Sequence, residues 1–228
     1  MSSEENLTRV EFAVKVKDEK ALNRVKSSLI NEGQIAEKNI ESIVDAGEAR
    51  IVCKTNIPWI SLHEIIEKTG YESALVGFSD QSAVTILDER KLTNIKGVVR
   101  FCSSQKSIIV IDGVIDGLKE NKEHKFGIYE YGDLSDGCNN LGEVYKNAIY
   151  NVNSNDKGRI VLRRTTDNDL TISDIIGRGV CISNDSGEKL ACGVISRSAG
   201  VFQNFKRICL CSGKLLWDER DLQNIVKK

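Results

Sequence analysis

Residues 189–220 read KLACGVISRSAGVFQNFKRICLCSGKLLWDER and hold three of the chain's seven cysteines: Cys192, Cys209 and Cys211. Only Leu210 separates the last two. Two thiolates at this spacing can reach one soft ion, and thiolate ligands select Cu(I), Zn(II) or iron–sulfur clusters. The same thiols could instead share a metal between two chains, or attack a disulfide elsewhere. Lys206 and Arg207 precede the pair and Ser212, Gly213 and Lys214 follow it, a setting that suits exposure. Nearby positive charge lowers a thiol's pKa and makes it a better nucleophile and ligand. On spacing alone, two structural thiols in a strand explain the pair equally well.

The neighbours of the pair narrow the choice. LACGVISRSAG, then Phe202-Gln203-Asn204, then the C-x-C pair, then Trp217 with Glu219 and Arg220, resembles the copper chaperones for superoxide dismutase. In that family a C-x-C segment follows a domain similar to the copper/zinc dismutase it serves. The resemblance implies that Cys209 and Cys211 bind Cu(I) and exchange thiols with the target. It also predicts three regions: 1–80, a metallochaperone-like domain; 81–200, a dismutase-like β-barrel; and 201–228, the tail.

Composition agrees with an ordinary globular chain. Of 228 residues, 40% are apolar and 29% charged, and the net charge of −1 leaves no basic footprint for nucleic acid. No apolar run approaches the ~20 residues a membrane helix needs. The polar, acidic start MSSEENLTR has no secretory or mitochondrial targeting pattern, so a cytoplasmic location is expected. An odd number of cysteines leaves at least one unpaired within the chain, and a reducing compartment keeps most of them reduced.

From residue 1 to 80 the pattern alternates between strand and helix periods. Val10–Val16 alternates as a half-buried strand. Asp18–Ile30 has a helical stripe of Ala21, Leu22, Val25, Leu29 and Ile30, with Gly33 as its stop. Ile40–Val44 and Ala49–Lys54 are strands around an Asp45-Ala46-Gly47 turn. Pro58–Lys68 is a second helix and Ser73–Phe78 a last strand. The order βαββαβ is a ferredoxin-like unit, and VEFAV and TGYESALVG resemble the family's N-terminal metallochaperone domain. That domain carries an M-x-C-x-x-C loop, whose cysteine positions here fall on Asp18 and Ala21. A hard carboxylate and a methyl group cannot replace two thiolates for Cu(I). This leaves the unit's role open between stability, partner contact and regulation. Cys53 reads as a small core residue and His63 as a surface or boundary one.

Residues 81–200 show short β-rich runs at 82–87, 95–101, 107–111, 126–131, 158–163, 179–183 and 191–196, with Leu170–Ile172 a further candidate. Such spacing predicts an antiparallel sandwich or Greek-key barrel. Gly127–Leu134 with Cys138, Ile176-Gly177-Arg178 and Leu190–Ile195 resemble the superoxide dismutase fold. The family's metal-binding histidines are replaced: Gly127 and Tyr129 stand at the H-x-H positions, and the later ligand positions fall near Glu143–Tyr145 and Ser183–Asp185. His124 lies just before that strand. No dismutase activity and no zinc site are expected, since zinc needs about four ligands. Cys102 and Cys181 read as core residues. The resemblance implies a Cys138–Cys192 disulfide. It also implies a partner surface of Tyr131, Gly132, Asp133, Leu134, Ile176, Gly177, Arg178, Gly193, Val194, Ile195, Arg197 and Ser198. That surface would dock on copper/zinc superoxide dismutase, or alternatively form a homodimer, or serve only to build the barrel.

Overall fold

Alternation decides the first strand. In β1 (Thr8–Val14) the even residues Val10, Phe12 and Val14 are fully buried. They pack with Leu22, Val25 and Leu29 of α1 (Glu19–Asn31) and with Leu62 and Ile66 of α2 (Trp59–Lys68). Asp18 caps α1: its carboxylate accepts the Ala21 N–H at 2.7 Å, satisfying a donor that the first helical turn leaves open. β2 (Ile40–Asp45), β3 (Glu48–Thr55) and β4 (Ser73–Phe78) complete an antiparallel sheet of order β2-β3-β1-β4. The element order is therefore βαββαβ. The computed structural model describes residues 7–45, 48–88, 94–105, 108–166, 169–204 and 215–218, and Ala46 and Gly47 of the expected turn lie outside them.

The remaining strands are β5 (Ser82–Asp88), β6 (Lys96–Gln105), β7 (Ile108–Asp116), β8 (Glu123–Tyr129), β9 (Val144–Asn153), β10 (Ile160–Thr165), β11 (Gly179–Asn184), β12 (Lys189–Val194) and β13 (Ser196–Ser198). They form two further antiparallel sheets, β10-β7-β6-β5-β13 and β12-β11-β8-β9. Val99, Phe101, Ile109, Ile111 and Ile115 of the first meet Phe126, Ile128, Val180 and Ile182 of the second in one apolar core. The chain crosses between the two sheets after β7, β9, β10 and β12.

Three expectations need correction. Val144–Asn153 forms a full strand that the alternation rule passes over. Lys146 and Asn147 both adopt positive φ (44° and 56°), and the pairing with β8 slips there, so the two-residue period is interrupted. Ile172 does not extend a strand. It starts the short helix α3 (Ile172–Ile175), closed by a capping box between Thr171 and Asp174. His124 lies inside β8, not before it, and is buried.

The first sheet and the sandwich share a contact surface. Cys102 and Val110 of β6 and β7 belong to the same apolar cluster as the core under α1 and α2. A polar knot ties this junction. Asp112 of β7, fully buried, accepts from the Arg163 guanidinium at 2.6 Å and from the Trp59 N–H at 3.2 Å. Arg163 also donates to the Thr8 hydroxyl (3.1 Å) and the Thr55 carbonyl (3.3 Å). Burial pushes the Asp112 carboxyl up to about 6, against the opposing pull of Arg163.

Candidate functional site

Sheet β12-β11-β8-β9 turns a second face away from the main core. Cys181 and Cys192 stand directly opposite each other across β11 and β12 on that face. Tyr129, Cys138 and Leu141 close over them in a small satellite cluster, with Leu134 and Val144 packed at its margin. Cys138 and Cys192 are joined by a disulfide with Cα atoms 5.8 Å apart. It fastens the loop 130–143 to β12. The loop is also held by backbone bonds from Glu130 N–H to Glu143 and from Tyr131 N–H to Leu141. The Lys189 ammonium donates to the Cys138 carbonyl at 3.0 Å and lies over the Tyr129 ring. Among the described residues, Cys53, Cys102 and Cys181 are buried thiols outside any disulfide. Burial raises Cys53 and Cys102 to about 12, so both stay protonated near neutrality.

The residues expected to meet a partner come together beside this loop. A Cβ at Gly132 would collide with the Gly177 carbonyl and press on Val194 at 3.0 Å, which fixes how closely the three segments meet. Gly177 N–H donates to Ile195, and Ile195 N–H donates to Arg178. The Arg178 guanidinium donates to the Glu130 carbonyl (2.9 Å) and the Asp174 carbonyl (2.6 Å), and its plane sits 3.4 Å from the Tyr145 ring centroid. It thus pins α3, the 130–143 loop and β9 together. Tyr131 projects outward, 59% exposed. Asp133 is exposed, and hydrogen bonds from Ser135, its hydroxyl first and then its backbone N–H, hold the carboxyl below the usual range. Leu134 and Ile176 are partly buried, and Arg197 is exposed. Ser198 bonds the Ser82 hydroxyl at 2.7 Å and so fastens β13 to β5.

Two members of the expected set contribute backbone rather than side chain. Ile195 is 1% exposed, and its side chain belongs to the core. Gly193 is buried against β5, where a Cβ would strike the Ile86 carbonyl. Sequence reasoning missed Ile86 itself, which is 64% exposed on β5 next to Gly193. The run SAVTILD offers apolar residues to both faces of its strand. That is the available signal, and it does not say which face stays open.

Cys209 and Cys211 lie outside the described residues. Among the described residues, no group of three or more His, Cys, Asp or Glu side chains is placed to share a metal ion. Gly127 and Ser183 pair with Cys181 and Lys125 respectively in the β8–β11 ladder. Among the described residues no helix is long and apolar enough to cross a membrane.

A βαββαβ sheet joined to a two-sheet antiparallel sandwich, with a disulfide-fastened loop beside an exposed aromatic, places the chain among β-rich proteins built of antiparallel sheets with few helices. No protein-family model matches the chain. Individual relatives do. The chain is 30% identical to the copper chaperone for superoxide dismutase of Homo sapiens, over 94% of this chain and 89% of that protein. It is 28% identical to the chloroplastic/cytosolic copper chaperone for superoxide dismutase of Arabidopsis thaliana, over 96% of this chain and 72% of the relative. It is also 28% identical to the superoxide dismutase 1 copper chaperone of Debaryomyces hansenii, over 92% and 93%. The chain belongs to the family of copper chaperones for superoxide dismutase.

Proposed function

We propose that this protein docks on immature copper/zinc superoxide dismutase, delivers Cu(I) from Cys209 and Cys211, and promotes the target's intramolecular disulfide. In this reading residues 1–80 are a ferredoxin-like unit, 81–200 a dismutase-like Greek-key barrel and 201–228 the working tail. The observation that carries the docking step is the convergence of Tyr131–Leu134, Ile176–Arg178 and Gly193–Ser198 at one surface, with Tyr131 and Ile86 exposed beside it. A large aromatic and a β-branched side chain left in water next to a rigid backbone frame suit a protein partner. In copper transfer, two thiolates hold a soft cargo ion and pass it to a stronger ligand set. In thiol exchange, a target thiolate attacks an oxidised Cys209–Cys211 pair and forms a mixed disulfide. The second target thiolate then displaces the tail, leaving both tail cysteines as thiols. Oxygen is the oxidant that would restore the pair.

The test is reconstitution of reduced, metal-free dismutase with Cu(I) in the presence of the intact chain, Cys209→Ser/Cys211→Ser, or Tyr131→Asp/Ile86→Asp. The proposal predicts activation by the intact chain alone, and no stable complex with the Tyr131/Ile86 variant in native mass spectrometry. Activation by the double serine variant at the intact chain's rate would overturn it.

A second reading, a dismutase-binding scaffold doing thiol exchange or folding assistance without copper delivery, draws support from one feature. At the family's cysteine positions, Asp18 is spent on capping α1 and Ala21 is buried within it. Excess copper separates the two readings in the same assay. If it fully rescues the serine variant, the missing function was delivery. If it does not, the missing function was disulfide chemistry.

A further inference from the structure

The even residues of β1 face the helices. The odd ones, Arg9, Glu11 and Ala13, run along the middle of the sheet's other face, because β1 is a central strand, and Lys15 follows just past its end. That face is occupied by the chain leaving the sandwich. Phe78 N–H donates to Ala199 and Val201 N–H donates to Ser79, so residues 199–201 lie along the end of β4. The Glu11 carboxylate, fully buried, accepts the Phe202 N–H at 2.7 Å. Arg50 of β3 sits 3.5 Å from the same carboxylate and donates to the Asn204 carbonyl at 3.0 Å. The Arg9 guanidinium lies over the Phe202 ring at 6.0 Å, and the Lys15 ammonium over the Trp217 ring at 5.8 Å. Gly77, opposite Glu11, completes the seat. A Cβ there would meet the Glu11 carboxylate at 2.5 Å and the Gly200 carbonyl at 2.7 Å. The close approach of residues 200 and 201 thus depends on a missing side chain.

Asn204 and Trp217 bracket the segment that bears Cys209 and Cys211, and both reach side chains of the same sheet face. We propose that the helix-free face of the β2-β3-β1-β4 sheet is the anchorage of the tail's root, residues 199–204, and of Trp217 beyond it, so that the first unit, without a cysteine pair of its own, fixes the two points between which the C-x-C segment runs. The seat is built from a carboxylate, two guanidinium groups and an ammonium rather than from an apolar groove. Charged groups regain hydration when a contact opens, so this seat holds the tail while leaving release inexpensive. The seat is also continuous with the docking surface, because Ser198 pairs with β5 and Ala199 pairs with β4. A partner engaging Arg197 and Ser198 pulls on the first seated residue.

The placement of the tail stands apart from the copper reading, and its test uses no metal. Amide hydrogen exchange of the full chain is measured for the wild type, Gly77→Ala and Glu11→Ala, alongside the iodoacetamide labelling rate of Cys209 and Cys211. The expected result is slow exchange at Val201 and Phe202 in the wild type. Both variants should speed exchange over 199–204 by about tenfold or more, while β7 amides stay slow as the control for folding. Thiol labelling should accelerate in the same two variants. Exchange at 199–204 in the wild type as fast as in an unstructured peptide would overturn the proposal. So would unchanged exchange and labelling in Gly77→Ala with β7 intact. Cu(I) affinity can fail or hold independently of either outcome.

Discussion

Asp112 shows what one residue does at the junction. Its carboxyl titrates near 6 when folded, because burial disfavours the charge more than Arg163 favours it. Unfolded, it titrates near 4 as an ordinary aspartate. Between those values the folded chain holds a proton that the unfolded chain has lost, so this group's contribution to stability falls as pH rises from about 4 to about 6 and is flat above. Urea unfolding of the wild type and Asp112→Asn across pH 4–7 should give a stability difference that shrinks with rising pH. A difference that is flat or grows would contradict the assignment. Arg178 likewise has several partners: two carbonyls on separate segments and one aromatic ring. Arg178→Ala should lower stability by roughly 1–3 kcal/mol and raise amide exchange in the 130–143 loop. Lysine, a point charge without the planar fork, should recover only part of this. Of these two, Arg178 stands in the sequence as part of a motif. Asp112 does not, because nothing in VIDGV says that an arginine 51 residues later will share its burial.

At the scale of elements, the strands with unbroken alternation were legible and the interrupted one was not. β1, β4, β5 and β11 match their patterns to within two residues at each end. β9 was lost because two adjacent residues at positive φ change its phase. The anchoring of residues 201–204 was not legible, since their hydrogen-bond partners lie far away in the sequence, at Glu11, Arg50 and Ser79. The 130–143 loop was legible as one end of a disulfide through family likeness, and its second fastening at Lys189 was not. Replacing Cys138 and Cys192 together with serine releases a closed loop of about 55 residues, and the chain-entropy model puts the cost at roughly 4 kcal/mol. Chemical denaturation of the reduced wild type should match the serine variant. If reduction leaves the midpoint unchanged, the bridge contributes nothing to stability. Gly193→Ala should also destabilise, by about 1–3 kcal/mol, because the new Cβ meets main chain of β5 that cannot swing aside.

For the whole molecule, the proposed reading moves the copper-binding thiols from the first unit to the tail. The βαββαβ unit carries a helix cap and a buried methyl where the family places thiolates, and it spends its open face on the tail root. In the proposed reading the sandwich supplies the frame for a partner, and the tail carries Cys209 and Cys211. Cys53 and Cys102 are held protonated by burial, and Cys181 is enclosed under the disulfide loop. Everything therefore turns on whether Cys209 and Cys211 hold copper. The most direct measurement is Cu(I) stoichiometry under anaerobic competition with a chelator, on the intact chain and on Cys209→Ser/Cys211→Ser. The account predicts tight copper on the intact chain that is lost in the double variant. No tight copper on either protein, or equal binding by both, would contradict delivery from the tail and leave thiol exchange on a docking scaffold in its place.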